Sequence, residues 1–296
     1  MKHFLVLVVV FLSSMGFSQC IDGDCFNGYG KFKCDCGYVF EGDFINGERV
    51  YGTLTKSDLV YTGEFKNELA HGFGKIVYAD STWYEGTFKE NMPWGFGTFF
   101  FSDTLRYVGE IKNNEFVGYG TMYFTSTNKN HNQVELGQFK ADQLNGFAFV
   151  KNHTNAFYFG FYEDGLRQGF GLKYDSEAKT LELGEFHKNR GKKQNVVENI
   201  TEADSLTKRK IKIKRSVYSV VFDNDLEFLK ITKSTTGKAD FVAIYDNDLK
   251  HLYISSKESV LDGVVINMEG ELFDAAIDSV DEGIVQIKNQ KCKKLK

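Results

Sequence analysis

Hydrophobic and polar positions alternate along most of this chain, with a period of two residues. Tyr61, Gly63 and Phe65 share one side of an extended segment, and polar residues separate them. The same alternation recurs at 74–78, after a short polar connection at 67–71. A period of two predicts β-strands, and the short polar connection predicts a tight turn between them. Each such unit is therefore predicted to form one β-hairpin.

The hairpin unit recurs with a fixed spacing. A lead glycine between aromatic or aliphatic residues is followed nine residues later by a second glycine, at Gly63 and Gly72, Gly86 and Gly95, Gly109 and Gly118, Gly137 and Gly146, and Gly160 and Gly169. The period of about 23 residues indicates a repeat architecture. Because glycine weakens a strand interior, we expect each lead glycine to leave room for an aromatic ring over the backbone. A longer step before Gly137 predicts an extended hairpin tip at 125–132.

These residues resemble the MORN repeat, whose consensus runs roughly Tyr-x-Gly-x-Trp/Phe-x-Asn/Asp-Gly-x-x-x-Gly-x-Gly. The resemblance covers residues 38–191, with degenerate copies at both ends. It implies an all-β fold, an open single-layer antiparallel sheet of stacked hairpins. It also implies docking to a membrane or a protein, with no catalytic residues in the repeat. Together with the N-terminal region described next, it suggests a MORN protein of the exported, bacterial type.

The N-terminal region predicts export. Apolar residues run without interruption over 4–12, after a short basic start and before small and polar residues. This pattern predicts a signal peptide over 1–19, which is too short to span a bilayer as a helix. Cleavage after Gly16 or after Gln19 fits the pattern. Lipidation of Cys20 is an alternative, although the residue before it is not small. The protein is accordingly predicted to be periplasmic, extracellular or at the cell surface.

A cysteine-rich N-terminal cap is predicted at 20–37. It contains four of the five cysteines, Cys20, Cys25, Cys34 and Cys36. In an oxidising compartment four cysteines predict two disulfides with three possible pairings, of which the one that joins Cys20 to Cys25 is preferred. Zinc is the alternative, but the spacing matches no common zinc site. Cys292 is left without an assigned partner.

After residue 191 the aromatic-glycine pattern ends. Residues 192–215 predict a linker and then a basic strand, with Ile211 and Ile213 on its inner side. The basic residues of this strand are Lys208, Arg209, Lys210, Lys212, Lys214 and Arg215. Such a strand commonly protects a sheet edge from pairing. The alternative is contact with an anionic membrane or another polyanion.

The C-terminal region, residues 216–296, carries a second and weaker repeat of the same length. Phe-Asp-Asn-Asp-Leu at 222–226 recurs as Tyr-Asp-Asn-Asp-Leu at 245–249 and, less closely, as Met-Glu-Gly-Glu-Leu at 268–272. Strand-like apolar segments flank each copy, so three smaller hairpins with acidic turns are predicted. The acidic triplets are typical of turns, and calcium binding is the alternative.

No catalytic, cofactor-binding or metal-binding residue is predicted. The six histidines fall at no metal-ligand spacing, and neither His-Glu-x-x-His nor Gly-x-Ser-x-Gly occurs. A net charge of −4 argues against nucleic acid as a partner. The sequence therefore predicts a non-catalytic exported scaffold that docks an unidentified protein partner through an aromatic-rich sheet. The alternatives are a surface-binding module for lipid headgroups or glycans, and an enzyme with a site in 192–296.

Overall fold

The computed structural model describes residues 18–125, 132–198, 207–222, 226, 228–235, 239–246, 251–255, 262–267, 272–281 and 284–287. The regular structure within these ranges is entirely β-strand. Among the described residues there is accordingly no helix of the length and apolarity that a membrane span requires. Residues 1–17 of the predicted signal peptide, most of the tip at 125–132, most of each predicted acidic turn and Cys292 lie outside the described residues.

Sixteen strands form the first sheet in strict chain order, each antiparallel to its neighbours. They are β1 Ser18–Gly23, β2 Gly28–Cys34, β3 Val39–Ile45, β4 Glu48–Thr55, β5 Leu59–Lys66, β6 Leu69–Tyr78, β7 Trp83–Lys89, β8 Met92–Ser102, β9 Leu105–Lys112, β10 Glu115–Phe124, β11 Gln133–Lys140, β12 Gln143–Asn152, β13 Phe157–Glu163, β14 Leu166–Asp175, β15 Thr180–His187 and β16 Arg190–Glu198. The predicted fold class, an open sheet of stacked hairpins, is confirmed.

The sheet extends beyond 38–191 at both ends. β1 and β2 bring the cysteine-rich cap into it, because β2 pairs with β3. β16 carries it to Glu198, past residue 192, at which the predicted linker begins. Strand pairing requires backbone hydrogen bonds and not the aromatic-glycine pattern, so the sheet continues after the pattern has ended.

Eight strands form the second sheet, again in chain order. They are β17 Thr207–Ile213, β18 Ser216–Phe222, β19 Phe228–Ser234, β20 Ala239–Asp246, β21 His251–Ser255, β22 Asp262–Asn267, β23 Leu272–Asp281 and β24 Ile284–Ile287. The second repeat corresponds to the hairpins β18–β19, β20–β21 and β22–β23. Equivalent residues pair in the first two, since Phe222 lies opposite Leu229 and Tyr245 lies opposite Leu252.

One side of the first sheet, which we call the interlock face, buries the lead aromatic residues. The Tyr61 ring packs edge-on against Phe65 and Phe88, with ring centroids 5.1 and 5.0 Å apart. Its hydroxyl donates a hydrogen bond to the Glu64 carbonyl oxygen at 2.8 Å. A Cβ atom on Gly74 would lie 2.5 Å from Tyr61 Oη, so the position accepts only glycine. The ring thus occupies the space that the absent side chain leaves.

The same arrangement recurs around Tyr84, Tyr107 and Tyr158. The hydroxyl of each donates to the backbone carbonyl three residues later, at 2.9, 3.1 and 3.3 Å. Burial raises the pKa of each phenol well above its ordinary value of about 10. These hydroxyls therefore stay protonated and serve as structural donors, which is a packing role and not an acid-base role.

The opposite side of the first sheet, which we call the ladder face, is covered in its C-terminal half by the second sheet. Phe147 lies 5.1 Å from Phe241, and Phe149 stacks on Tyr245 at 3.8 Å between ring centroids. These residues belong to one buried cluster that spans both sheets. The architecture is thus a single layer at the N-terminal repeats and two packed layers at the C-terminal repeats.

Candidate functional site

In the hairpins from β5–β6 to β13–β14, a β-bulge places one aromatic side chain on the ladder face. In the second strand of the hairpin, the register shifts where β6 passes Glu64, which leaves the Phe73 N–H without a partner from β5. That N–H donates to the Glu64 carboxylate at 3.0 Å. Gly72 beside it has a φ of +70°, a left-handed conformation that favours glycine. Gly72, the second glycine of the repeat, and Glu64, which follows the lead glycine, therefore fix the direction of the Phe73 side chain.

Seven aromatic residues on the ladder face form what we call the aromatic ladder. Each is the middle residue of a Gly-x-Gly or, for Tyr51 and Phe147, its counterpart in a hairpin that lacks one of the two glycines. Its members are Tyr29, Tyr51, Phe73, Phe96, Tyr119, Phe147 and Phe170. They occur on every second strand, so successive side chains are about 9.5 Å apart. Bulges at Tyr119 and Phe147 repeat the Phe73 arrangement, with the N–H groups bonded to Glu110 and Gln138 at 3.1 and 2.9 Å.

The first three members, which we call the open ladder, are exposed. The exposed fractions are 61% for Tyr29, 51% for Tyr51 and 55% for Phe73. Acidic residues alternate with them, since Asp43 lies opposite both tyrosines and Glu64 lies opposite Tyr51. The open ladder is therefore a line of accessible rings separated by carboxylates.

A second row on the ladder face runs beside the open ladder and is polar. It consists of three cross-strand pairs: Lys31 with Glu41 at 2.9 Å, Thr53 with Thr62 at 2.9 Å, and Lys75 with Glu85 at 3.1 Å. Along the covered half of the sheet the same row becomes apolar and buried, with Leu136, Phe149, Phe159, Leu172 and Leu183. The chemistry of the row changes where the second sheet begins to cover it.

At its C-terminal end the ladder forms the contact between the two sheets. Phe147 is 0% exposed, and Phe170 stacks on Tyr218 at 4.2 Å between ring centroids. Phe96 and Tyr119 pack against the edge of this cluster. The ladder is hence continuous from a free surface into an intramolecular interface. These residues were not predicted as a functional site, although five of the seven stand between two glycines in the sequence.

The predicted cysteine site lies at the N-terminal edge of the first sheet. Cys20 is bonded to Cys25 and Cys34 to Cys36, with Cα atoms 5.9 and 5.0 Å apart. The preferred pairing is thus the one in the structure. Disulfides of this kind are typical of an oxidising compartment outside the cytosol. Among the described residues no group of three or more potential ligands is placed to hold a metal.

The predicted basic strand is β17, which forms one edge of the second sheet. Its Lys208, Arg209, Lys210 and Lys212 side chains are exposed, as are Lys214 and Arg215 in the turn that follows. Ile211 and Ile213 pack against the buried cluster, as the alternation predicts. The strand lies on the second sheet, whereas the open ladder lies at the other end of the first sheet.

The carboxyl group of Glu135 lies partly buried on the interlock face, and its titration provides a test of that burial. Burial raises the pKa of Glu135, and a hydrogen bond from Gln133 at 2.6 Å offsets part of that effect. Because the pKa is higher in the folded state than in the unfolded state, ionisation of Glu135 lowers the free energy of unfolding at pH values above the folded-state pKa. The cost disappears as the pH falls below the unfolded value of about 4.3.

We therefore expect Glu135→Gln to increase the free energy of unfolding at pH 7.5 and to have no effect near pH 4. Urea denaturation at the two pH values measures the difference. Glu163→Gln, at an exposed carboxylate in the next hairpin, is the control and should change stability by no more than about 0.5 kcal/mol at either pH. A loss of stability at pH 7.5 in Glu135→Gln would contradict this account of the site.

Comparison with protein families matches the MORN repeat to four segments, 61–83, 84–106, 107–129 and 158–176. Each segment begins at a tyrosine of the interlock face, so the predicted resemblance is confirmed for these four copies. MORN repeats are binding or scaffold modules and are generally non-catalytic. No curated protein matches the sequence of the chain.

Proposed function

We propose that this chain, which carries four MORN repeats, is an exported, non-catalytic scaffold that docks a protein partner through the open ladder. The observation that carries the proposal is the exposure of Tyr29, Tyr51 and Phe73 in one line. Accessible tyrosine and phenylalanine side chains supply the anchors that dominate protein interfaces. Their shared row fixes the spacing of those anchors on a rigid sheet.

Continuity with the intramolecular interface supports a protein as the occupant. Further along the same ladder, Phe147 and Phe170 are covered by side chains of a β-sheet, the chain's own second sheet. The open ladder offers the same kind of residue at the same spacing without a cover. A partner that presents aromatic or aliphatic side chains from a flat surface would extend this packing.

The polar row beside the open ladder supports an exchangeable partner. Its ion pairs, such as Lys31 with Glu41, are about half exposed, so a partner can contact them without the burial of an unpaired charge. Apolar anchors beside paired polar groups are typical of non-obligate interfaces. The covered half lacks this polar row, which is consistent with permanent packing there.

Export is supported by the two cysteine pairs and by the apolar segment at 4–12. A non-catalytic role is supported by the structural role of the buried tyrosines of the repeat. Tyr84 and Tyr107 are engaged in packing and backbone hydrogen bonds. The family is also generally non-catalytic.

The test begins with a photo-crosslinking amino acid at position 73 of the full chain, produced in its native compartment. Position 166, an exposed apolar residue at a hairpin end outside the ladder, is the control. A protein crosslinked at 73 and not at 166 is then purified, and its affinity is measured by calorimetry. We expect Phe73→Ala and Tyr51→Ala each to weaken binding about 30-fold, and Leu166→Ala to leave it unchanged. Equal crosslinking at both positions, or an unchanged affinity in Phe73→Ala, would overturn the proposal.

A second candidate is a module that binds anionic surfaces, and the observation that favours it is the exposed basic edge at 208–215. Lys230 lies in β19 of the same sheet, and its pKa is lowered by burial and by the nearby positive charge of Lys208. This candidate predicts sedimentation with anionic vesicles. Reversal of charge at Lys210, Lys212 and Lys214 should abolish it. If the chain sediments with anionic vesicles and no protein is crosslinked at position 73, the docking proposal is wrong and the anionic-surface candidate takes its place.

A further inference from the structure

A cleft on the interlock face contains a buried cation that is incompletely paired. The cleft has a volume of about 300 Å³ and lies between the second and third repeats. Arg49, which forms part of its wall, is 8% exposed. Its Nη1 atom is buried and has no hydrogen-bond partner. A buried donor without a partner is costly, and such a group calls for a ligand or a solvent molecule.

The position of Arg49 in its repeat is unusual. It lies opposite Phe44, as Ala70 lies opposite Phe65 in the next hairpin. In most later hairpins an apolar side chain occupies this position, for example Phe116. A guanidinium has therefore replaced an apolar group at the centre of the interlock face.

The surroundings fix the guanidinium and leave its Nη1 atom without a hydrogen-bond partner. Its Nε donates to Glu68 Oε2 at 2.6 Å, and its Nη2 donates to the Glu68 carbonyl oxygen at 2.9 Å. The Tyr38, Phe40 and Phe65 rings surround it, with centroids 5.3, 5.6 and 5.1 Å from Cζ. Ion pairing and cation–π contacts hold the group in a single orientation, so Nη1 is a preorganised donor.

The rest of the cleft combines apolar walls with one more cation. Leu54, Leu59 and Ile76 contribute aliphatic surface, and Lys56 adds a second positive charge. Against these two cations the cleft has a single carboxylate, Glu68. The balance favours an anion, and the aliphatic walls favour an apolar body attached to it.

We propose that this cleft binds a small carboxylic acid with an apolar body, its carboxylate accepting a hydrogen bond from Arg49 Nη1. The carboxylate would complete the coordination of the guanidinium, and the aliphatic or aromatic body would lie against Leu54, Leu59 and Ile76. Because the cleft is on the interlock face, the proposal does not depend on docking at the open ladder.

The test is titration of the full chain with hexanoate and 3-phenylpropanoate, followed by NMR or calorimetry, with the corresponding primary amides as neutral controls. We expect saturable binding of at least one acid and affinity at least about tenfold lower for its amide. Arg49→Met should remove the preference for the acid. Arg167→Met is the matched control, since Arg167 occupies the equivalent position opposite Tyr162 and should leave the preference unchanged.

Leu59→Trp keeps Arg49 and fills the cleft, so it tests the site even if Arg49→Met fails to fold. We expect this variant to lose binding of the acid. The proposal is overturned if the wild-type chain binds neither acid, or if it binds the acid and the amide with equal affinity. It is also overturned if Arg49→Met keeps the preference for the acid, or if Leu59→Trp still binds the acid. Crosslinking at position 73 is unaffected by any of these outcomes, so the two proposals fail separately.

Discussion

Replacing Gly86 with valine is expected to lower the free energy of unfolding by about 1–3 kcal/mol. A Cβ atom at this position would lie 2.5 Å from Tyr84 Oη and 2.6 Å from the Gly97 Cα. The ring and the neighbouring strand are both fixed by packing, so neither can move away without breaking contacts in the next hairpin. Chemical denaturation monitored by circular dichroism measures the loss.

Thr98→Val is the control for the Gly86 variant. Thr98 lies on the adjacent strand and faces the opposite side of the sheet, opposite Glu85 and Val108. Since the replacement is also β-branched and similar in size, the change should be within about 0.5 kcal/mol. Unchanged stability in Gly86→Val would mean that the ring and the glycine do not interlock.

Phe147→Ala is expected to cost about 3–5 kcal/mol, the largest effect of any single change considered. The side chain is fully buried between the sheets, with ring centroids of Phe159, Phe161 and Phe241 4.8, 5.1 and 5.1 Å away. Its removal leaves a cavity that aromatic neighbours on two rigid sheets cannot fill. Thermal and urea unfolding measure the loss.

Phe73→Ala is the matched control, because Phe73 occupies the same position of an earlier repeat and is exposed. We expect it to change stability by less than about 0.5 kcal/mol while it weakens partner binding. The pair separates the two roles of the ladder, packing at one end and docking at the other. A similar loss of stability in both variants would contradict that division.

The hairpin architecture could be predicted because its determinants are local. The period of two around Tyr61, the spacing from Gly63 to Gly72 and the polar turn between them are all contained in about 20 residues. The second repeat was also predicted, since Phe222 and Tyr245 occupy equivalent places in their hairpins.

The packing of the two sheets was not predicted, because it depends on contacts distant in sequence. A signal was nevertheless present in the second row on the ladder face. In the early repeats this row contains Thr53, Thr62 and Lys75, and in the later repeats it contains Phe149 and Leu172. Such a change from polar to apolar residues at one repeat position marks where a sheet face is covered. The prediction rested on the glycine and aromatic positions of the repeat, and this row lies between them.

The cleft beside Arg49 was beyond prediction for a different reason. Arg49 reads as one more charged residue in a turn-rich region, and only the fold places it opposite Phe44. Its pairing with Glu68 joins one hairpin to the turn of the next. Neither the burial of the guanidinium nor the free Nη1 atom follows from spacing along the chain.

The strict chain order of both sheets has a consequence for how the protein folds. Every strand pairs with its immediate neighbours in sequence, so each pairing closes a short loop and costs little chain entropy. Contact order within each sheet is therefore low for an all-β protein, and pairing can begin at any hairpin and propagate. The long-range step is the packing of the second sheet on the ladder face, which sets Phe241 against Phe147. Before the two sheets pack together, the later half of the ladder is exposed. The open ladder keeps the same exposure in the native state.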